Sequence, residues 1–377
     1  MQRRRFLYQT LGALGLSAAC SAPVREPEAE AVSLNPAKLD EAAAFIEKWV
    51  DDGKLRAASL TVGLDGERFA RGFGDAKDEP DTIFLLASIT KPMTAIAIMV
   101  LADRGELTLQ DPVHRFIPEF TDGDRKDITI KDILCHTSGL PDQLPENVEL
   151  RKRHAPLEEF VERAIKTPLL FKPGAEQKYQ SMGLLLASEV AQRITNKPFR
   201  EFLKEVVFTP LGMQHSALGL GGFKIPDTAQ SQVEAAPALY GGGDNSSWDW
   251  NSLYWRDLGA PWGGAHSTGS DLTRLLDYFL DPDERVLKPE TARAMLANQN
   301  GDLPAWGIGF AVAPGSFGQG CSDWTFGHSG ATGTLFWADQ GTRLTFVMLT
   351  TLPARVSRKT LINPVSDMVS EAVAAKA

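Results

Sequence analysis

A long apolar stretch from Phe84 to Leu101 dominates the hydrophobic pattern of the chain. It covers more than four helical turns and ends shortly before Arg104-Gly105, a pair typical of a helix C-terminus. Ser88 and Lys91 stand out as a polar pair near its beginning, and a spacing of three residues places both side chains on one face of a helix. We therefore predict a buried helix around which the rest of the chain is organised.

Apolar residues at helical spacing predict further helices along the chain. The predicted helices are 37–52, 128–135, 156–165, 183–194, 199–207, 270–280 and 364–375. Thr268 or Ser270 is the expected N-cap of the 270–280 helix.

Alternation of apolar and polar residues with a period of two predicts strands near both ends of the chain. The predicted strands are 58–64, 68–73, 306–312, 324–327, 334–338 and 344–351, with Asp65-Gly66 as a hairpin turn between the first two. This order predicts an α+β fold in which both chain ends build one sheet and a mostly helical lobe is inserted. The sheet lobe is expected at about 37–84 and 304–377, and the helical lobe at about 85–303.

Composition places the chain among soluble globular proteins, with 43% hydrophobic and 23% charged residues over 377 positions. The formal net charge of −9 argues against nucleic acid as a partner. Three cysteines do not suggest a framework of disulfides.

The N-terminus has the pattern of an export signal. Arg3-Arg4-Arg5 precedes a short apolar run at 11–19, an arrangement that resembles a twin-arginine signal. Cys20 follows as a lipoprotein acceptor, although Ser17 stands where a branched apolar residue is usual. Residues 21–36 are expected to form a linker before a domain at 37–365. The protein is thus expected to be exported, as a periplasmic protein or a lipoprotein tethered through Cys20.

The Ser88–Lys91 pair has the chemistry of a nucleophile and its base. At a helix N-terminus, unpaired N–H groups and the helix dipole favour negative charge developing on Ser88. A partly desolvated Lys91 can lose its proton and accept that of the hydroxyl. The alternative is a chance Ser-x-x-Lys match on a solvated helix face.

A serine nucleophile also needs a second proton carrier and an oxyanion site, and two further segments are candidates for these roles. Tyr179 is the candidate for a second proton carrier, since a phenol near a lysine can be stabilised as phenolate. The segment His328 to Ala331 is the candidate rim of an oxyanion site, where Gly330 would let a substrate backbone approach closely.

In this order, the motifs resemble the serine β-lactamase and penicillin-binding-protein superfamily, in the branch of class C β-lactamases, D-Ala carboxypeptidases and related esterases. Ser88 to Lys91 matches the nucleophile motif, Tyr179 to Ser181 the Tyr-x-Asn position, and His328 to Gly330 the Lys-Thr-Gly position. Three framework phrases also resemble that branch, at 136–141, 208–213 and 263–268. The resemblance covers roughly residues 36–353 and implies an antiparallel sheet with flanking helices.

The resemblance implies an acyl-enzyme cycle on a small acyl substrate. Ser88 attacks a carbonyl while Lys91 and Tyr179 accept its proton, and the backbone N–H groups of Ser88 and Ala331 hold the oxyanion. Ser181, His328, Ser329 and Gly330 would contact the substrate. The cycle needs no metal or organic cofactor, and the chain is expected to act as a monomer.

Two departures from the family pattern bear on the substrate. Ser181 replaces an asparagine whose amide contacts the substrate amide. His328 replaces the lysine that meets a substrate carboxylate, and with an ordinary pKa near 6.5 it is mostly neutral at pH 7. Both changes favour carboxylic esters as the substrate class. D-amino-acid peptides are second in this order and β-lactams third.

The remaining candidates have structural alternatives. His136, Ser138 and His266 are expected to be turn or packing residues. The tryptophans between Gly219 and Gly264 could line an aromatic acyl pocket or anchor a loop. The rival for the whole chain is a non-catalytic, tethered binding protein that keeps the fold.

Overall fold

An antiparallel five-stranded sheet built from the two ends of the chain forms the centre of the fold. Its strands, in spatial order, are β3 (Glu67–Gly74), β2 (Ala57–Leu64), β9 (Leu344–Thr350), β8 (Thr334–Asp339) and β7 (Thr325–Gly330). This confirms the predicted α+β class. The computed structural model describes residues 32–236 and 245–375. The expected export signal with Cys20, most of the linker and residues 237–244 of the Gly219–Gly264 stretch lie outside the described residues.

The strands of the central sheet are longer than those of two small sheets beside it. The strands are β1 Val32–Leu34, β2 Ala57–Leu64, β3 Glu67–Gly74, β4 Phe84–Leu85, β5 Ala217–Leu218, β6 Ala265–Ser267, β7 Thr325–Gly330, β8 Thr334–Asp339, β9 Leu344–Thr350 and β10 Val373–Ala375. One small sheet pairs β1 with β10, and the other has the order β4-β6-β5.

Twelve α-helices occur in the described ranges, and none there is long and apolar enough to cross a bilayer. They are α1 Pro36–Asp51, α2 Thr90–Asp103, α3 Ile130–Leu134, α4 Asn147–Lys152, α5 Leu157–Lys166, α6 Met182–Thr195, α7 Phe199–Leu203, α8 Leu253–Leu258, α9 Gly269–Leu280, α10 Pro289–Leu296, α11 Ala354–Ser357 and α12 Asn363–Ser370. Thr268 caps α9 with its side chain.

The central sheet is buried on both faces because its side chains alternate between two hydrophobic cores. On β9, Phe346 and Met348 join the core formed with α1 and α12, whereas Val347 and Leu349 join the core formed with α2, α6 and α9. The sheet is therefore a central layer with helices on either side.

The predicted helix at 84–101 is wrong over its first six residues. Phe84 and Leu85 are extended because they pair with Ser267 and His266 of β6. Ala87 then takes a left-handed conformation with φ +48°, which starts a 3-10 turn over Ala87–Ile89. The α-helix begins only at Thr90, and its residues are buried from there to Leu101.

Three other sequence predictions need correction. The 306–312 segment is a loop joined to β7 by one bridge, Ala311 with Gly327. The last predicted helix ends at Ser370, because Val373–Ala375 pairs with Val32–Leu34. The 199–207 helix changes to a π-turn at Lys204–Phe208.

Gly309 shows why 306–312 cannot be a regular strand. Its φ is +79°, and a Cβ atom there would lie 2.4 Å from the Cβ of Ala95 on α2. The loop thus packs on α2 at Gly309 and pairs with the sheet edge only at Ala311.

We expect Gly309→Ala to lower the free energy of unfolding by about 2–4 kcal/mol, because positive φ and overpacking both oppose a side chain there. Gly301→Ala is the matched control, since Gly301 has φ +59° but open space around it, and should cost only about 1 kcal/mol. Urea unfolding measures both. Equal losses in the two variants would contradict the role given to the Ala95 contact.

Candidate active site

Ser88 lies at the bottom of the turn that leads into α2, at the edge of the central sheet. The left-handed Ala87 reverses the chain just before it, so that Ser88 faces a cleft of about 530 Å³. Tyr179, Trp306 and His328 line the same cleft. The structure therefore brings together the candidates taken from three distant parts of the sequence.

Lys91 is the immediate partner of Ser88. Its ammonium nitrogen lies 2.9 Å from the Ser88 hydroxyl and donates to the backbone carbonyl of Trp262 at 3.0 Å. Burial lowers the pKa of Lys91 to about 7, against a smaller opposing effect of the Asp142 carboxylate. Near neutral pH, a large fraction of Lys91 is uncharged and can accept a proton from Ser88.

The β7–β8 turn is fixed against the segment that precedes Ser88. Thr332 donates to the carbonyl of Leu85 at 2.7 Å, and Thr334 donates to that of Leu86 at 2.8 Å. A Cβ atom on Gly330 would lie 2.1 Å from the Leu86 carbonyl oxygen. Gly330 thus lies directly against the protein's own backbone, and it also lines the cleft.

This contact holds the Ala331 turn beside Ser88. Ala331 lines the cleft with Ser88, and its carbonyl accepts from the N–H of Ala354 at 2.9 Å. Ser88 stands in the first turn of its helical segment, where N–H groups lack intrahelical acceptors. The arrangement suits an oxyanion site made of the Ser88 and Ala331 N–H groups.

Tyr179 is held by aromatic rings on several sides. Its ring centroid lies 4.7 Å from that of His136 and 5.9 Å from those of Trp306 and His328. The Lys91 ammonium nitrogen lies 4.7 Å from the same centroid. Burial raises the pKa of Tyr179 well above its usual value, although a hydrogen bond with Ser88 opposes this. The free protein therefore holds a neutral phenol, in contrast to the expected phenolate.

His328 is a neutral hydrogen-bond acceptor in the cleft. Its Nδ1–H donates to the carbonyl of Ser329 at 2.8 Å, so the second nitrogen, Nε2, carries a lone pair. Nε2 is buried and has no hydrogen-bond partner in the described chain. Burial, with the charge of Lys91, lowers the pKa of His328 to about 3. A neutral imidazole attracts a carboxylate poorly.

Ser181 is engaged by a residue that the sequence analysis missed. Its hydroxyl donates to the Asp142 carboxylate at 2.5 Å, and its side chain is buried. Ser181 is absent from the described residues that line the cleft, whereas Ser329 and Gly330 are present. Asp142 follows the 136–141 turn, and no motif marks it in the sequence.

The cleft also contains Trp306, Arg355 and Arg358, which sequence reasoning did not select. The alternating pattern predicts Trp306 in a strand, so it was not considered as a cleft residue. The two arginines are three residues apart, a spacing that puts them on one face of a helix, but an isolated pair carries little information in a sequence. Within the described ranges, no group of three or more His, Cys, Asp or Glu side chains is placed to hold a metal ion.

The tryptophans of the Gly219–Gly264 stretch anchor its loops. The indoles of Trp248, Trp250, Trp255 and Trp262 are buried in the helical core. The remaining candidates make local hydrogen bonds. His136 accepts from the N–H of Gln180 at 3.3 Å, and His266 donates to the Gly219 carbonyl at 2.9 Å. The Ser138 hydroxyl accepts from the N–H of Leu140 at 3.1 Å. These are packing and turn contacts.

The fold and the site together define a serine hydrolase with a β-lactamase-like architecture. The chain belongs to the Beta-lactamase family, whose family model matches residues 42–364.

Relatives within this family differ in activity. The chain is 34% identical over 200 residues to "Esterase EstB" of Burkholderia gladioli, an alignment that covers 47% of this chain and half of EstB. It is 25% identical to "Putative D-alanyl-D-alanine carboxypeptidase" of Escherichia coli strain K12, over 93% of this chain and 91% of the relative. A solved structure, "EstCE1, a hydrolase with promiscuous acyltransferase activity", superposes with a TM-score of 0.73 at 20% identity, covering 89% of this chain and 99% of EstCE1.

Asp142→Asn removes the negative charge that raises the pKa of Lys91. Because Lys91 must be uncharged to act as a base, we expect the acidic limb of the kcat/KM profile to move to lower pH. Initial rates on a neutral ester, taken from about pH 5 to pH 9, measure the position of the limb.

Ser181→Ala is the matched control, since it removes the hydrogen bond to Asp142 and keeps the charge. Its acidic limb should stay close to that of the unmodified protein. An unchanged limb in Asp142→Asn, or a move to higher pH, would contradict the electrostatic role of Asp142.

Proposed function

We propose that the protein hydrolyses carboxylic esters through an acyl-enzyme on Ser88. The observation that supports this most directly is the 2.9 Å contact between Ser88 and a buried Lys91 with a pKa of about 7. This is the geometry and the basicity that a serine nucleophile needs at neutral pH.

In the acylation step, uncharged Lys91 accepts the Ser88 proton while the Ser88 oxygen attacks the ester carbonyl. The negative charge moves to the carbonyl oxygen, next to the N–H groups of Ser88 and Ala331. When the bond to the alcohol breaks, the neutral phenol of Tyr179 donates a proton to the leaving oxygen and regains one from Lys91. In the second half of the cycle, a water molecule attacks the acyl carbonyl and its proton passes to Lys91 and Tyr179. The Ser88 oxygen regains a proton as the carboxylic acid is released.

Two features favour esters over amides and β-lactams. Ser181 is committed to Asp142, so the position that would contact a substrate amide is occupied within the protein. His328 is neutral, so it does not supply a cation beside the nucleophile. The similarity to a relative named as an esterase agrees with this choice.

A D-Ala-D-Ala carboxypeptidase is the second candidate, supported by similarity to the Escherichia coli relative along nearly the whole chain. A β-lactamase is the third. A non-catalytic binding protein is the weakest alternative, because Ser88, Lys91 and Tyr179 are all present and contact one another.

Turnover of 4-nitrophenyl butyrate and of a chromogenic cephalosporin by the purified protein tests the proposal. We expect ester hydrolysis that Ser88→Ala lowers at least about a thousandfold, with cephalosporin turnover far below it. Ser270→Ala changes a serine outside the cleft and should behave like the unmodified protein. Faster Ser88-dependent cleavage of the cephalosporin would overturn the preference for esters.

We also propose that the protein is exported and tethered to a membrane through Cys20. The arginines at 3–5, the apolar run at 11–19 and Cys20 support this. Cell fractionation is the test: Cys20→Ser should move the protein from the membrane fraction to the soluble fraction, whereas Arg4→Lys with Arg5→Lys should retain the precursor in the cytoplasm. An unchanged distribution in Cys20→Ser would refute lipidation.

A further inference from the structure

Two residues of the cleft beside Ser88 carry buried hydrogen-bonding groups without a partner in the part of the chain that the structure describes. The groups are the indole N–H of Trp306 and the Nε2 atom of His328. Other such groups in the described ranges, for example Trp255 Nε1 and His266 Nε2, belong to residues outside the cleft. Because an unpaired buried donor or acceptor costs free energy, two of them in one cleft indicate a ligand that pairs with them.

The two groups are opposite in kind. The indole N–H of Trp306 can only donate a hydrogen bond. His328 donates from Nδ1 to the Ser329 carbonyl at 2.8 Å, which leaves Nε2 as an acceptor. A hydroxyl group donates one hydrogen bond and accepts others, so a single hydroxyl pairs with both residues, whereas an ether oxygen or a carboxylate pairs with Trp306 alone.

The rings of Trp306 and His328 are close enough for one hydroxyl to join them. Their centroids lie 5.7 Å apart, with an angle of 82° between the ring planes. One oxygen atom that bonds two nitrogens at about 2.9 Å each joins atoms up to about 5.8 Å apart. The Trp306 ring also packs on His136 at 4.7 Å, and the backbone N–H of Trp306 donates to the Asn298 side chain at 3.3 Å. These contacts hold Trp306 against β7, the strand that carries His328.

The position of Tyr179 assigns the pair to the alcohol part of the ester. The ring centroids of Trp306 and His328 both lie 5.9 Å from that of Tyr179. In the proposed cycle, Tyr179 protonates the leaving oxygen, so the group attached to this oxygen lies beside the two rings.

We propose that Trp306 and His328 form a hydroxyl subsite that selects esters whose alcohol part keeps a free hydroxyl, namely monoesters of diols and polyols. This rests on the proposed ester hydrolysis and names the substrate class of that same site. An ester of a simple alcohol leaves both groups unpaired, and a site with unpaired polar groups discriminates strongly against such an analogue.

Three butyrate esters of similar size test the subsite. 2-Hydroxyethyl butyrate has the hydroxyl, 2-methoxyethyl butyrate has an oxygen that accepts but does not donate, and propyl butyrate has neither. All three form the same butyryl-enzyme, so kcat/KM, measured by titration of the released acid, compares only the alcohol parts. We expect kcat/KM to be about ten- to a hundredfold higher for the hydroxyethyl ester than for the propyl ester, with the methoxyethyl ester between them.

Ser88-dependent turnover with equal kcat/KM for the hydroxyethyl and propyl esters would overturn the subsite and leave ester hydrolysis standing. Equal values for the hydroxyethyl and methoxyethyl esters would also overturn it, because nothing would then be donated to His328.

Substitutions assign the preference to the two side chains. Trp306→Phe removes the N–H donor and keeps an aromatic ring, and His328→Phe removes the acceptor. Each should lower the ratio of kcat/KM for the hydroxyethyl ester to that for the propyl ester by about tenfold. His328→Gln keeps an acceptor and should retain part of the ratio.

Trp255→Phe is the matched control, since it removes an unpaired buried indole N–H outside the cleft. The ratio should stay unchanged in this variant, and an equal fall there would overturn the role given to Trp306.

A second pair of substrates checks the side of the ester. 4-Nitrophenyl 3-hydroxybutyrate and 4-nitrophenyl butyrate differ by a hydroxyl in the acyl part, and we expect similar kcat/KM values for them. A preference for the hydroxy acid that Trp306→Phe removes would refute the assignment to the alcohol part.

Binding to Ser88→Ala separates this inference from the proposed function. Calorimetry with 2-hydroxyethyl butyrate and propyl butyrate measures recognition without turnover. Trp306→Phe added to Ser88→Ala should weaken binding of the hydroxyethyl ester about tenfold and leave that of the propyl ester unchanged. If the unmodified protein hydrolyses no ester, ester hydrolysis fails while this measurement still decides the subsite. Equal binding of the two esters to Ser88→Ala would overturn the subsite alone.

Discussion

The burial of Lys91 against Ser88 is the constraint on which the rest of the structure depends. Its ammonium group contacts a hydroxyl, a backbone carbonyl and the face of a phenol. Among the described residues, no carboxylate is a hydrogen-bond partner of this group. Because burial lowers its pKa from 10.5 to about 7, the folded state loses about 4 kcal/mol at pH 7 relative to a solvated lysine. Since the unfolded chain binds more protons, this loss shrinks as pH rises from 7 towards 10.5. The buried length of α2 and the large apolar cores on both sides of the sheet offset it.

The same site depends on a contact between the two ends of the chain. Thr332 and Thr334 bind the carbonyls of Leu85 and Leu86, so the last strands of the sheet fix the segment that enters the nucleophile turn. The two buried threonine hydroxyls thus find acceptors in backbone carbonyls at the point where β4 ends. Catalytic groups that are more than 200 residues apart in sequence are thereby held by short, buried hydrogen bonds.

Local patterns predicted most helices and the central sheet, because these depend mainly on residues close together in sequence. The contact between Ser88 and Lys91 follows from their spacing of three residues, whereas the family resemblance was needed to support Tyr179. The errors occurred where a distant segment decides the conformation. Phe84 and Leu85 have the apolar character of a helix, yet pairing with β6 makes them extended. Val373–Ala375 continues a helical pattern, yet β1 draws it into a sheet. Asp142 was missed for a related reason, since only the fold brings its carboxylate to Ser181 and into the field of Lys91.

The charges around the site influence the protonation states of Lys91 and His328. Asp142 raises the pKa of Lys91 and so opposes the larger effect of burial, which lowers that pKa to about 7. Arg358 acts in the other direction on His328, where its charge adds to burial in keeping the imidazole neutral. A protonated His328 would place a further cation close to Lys91, lower its pKa and remove the match with neutral pH.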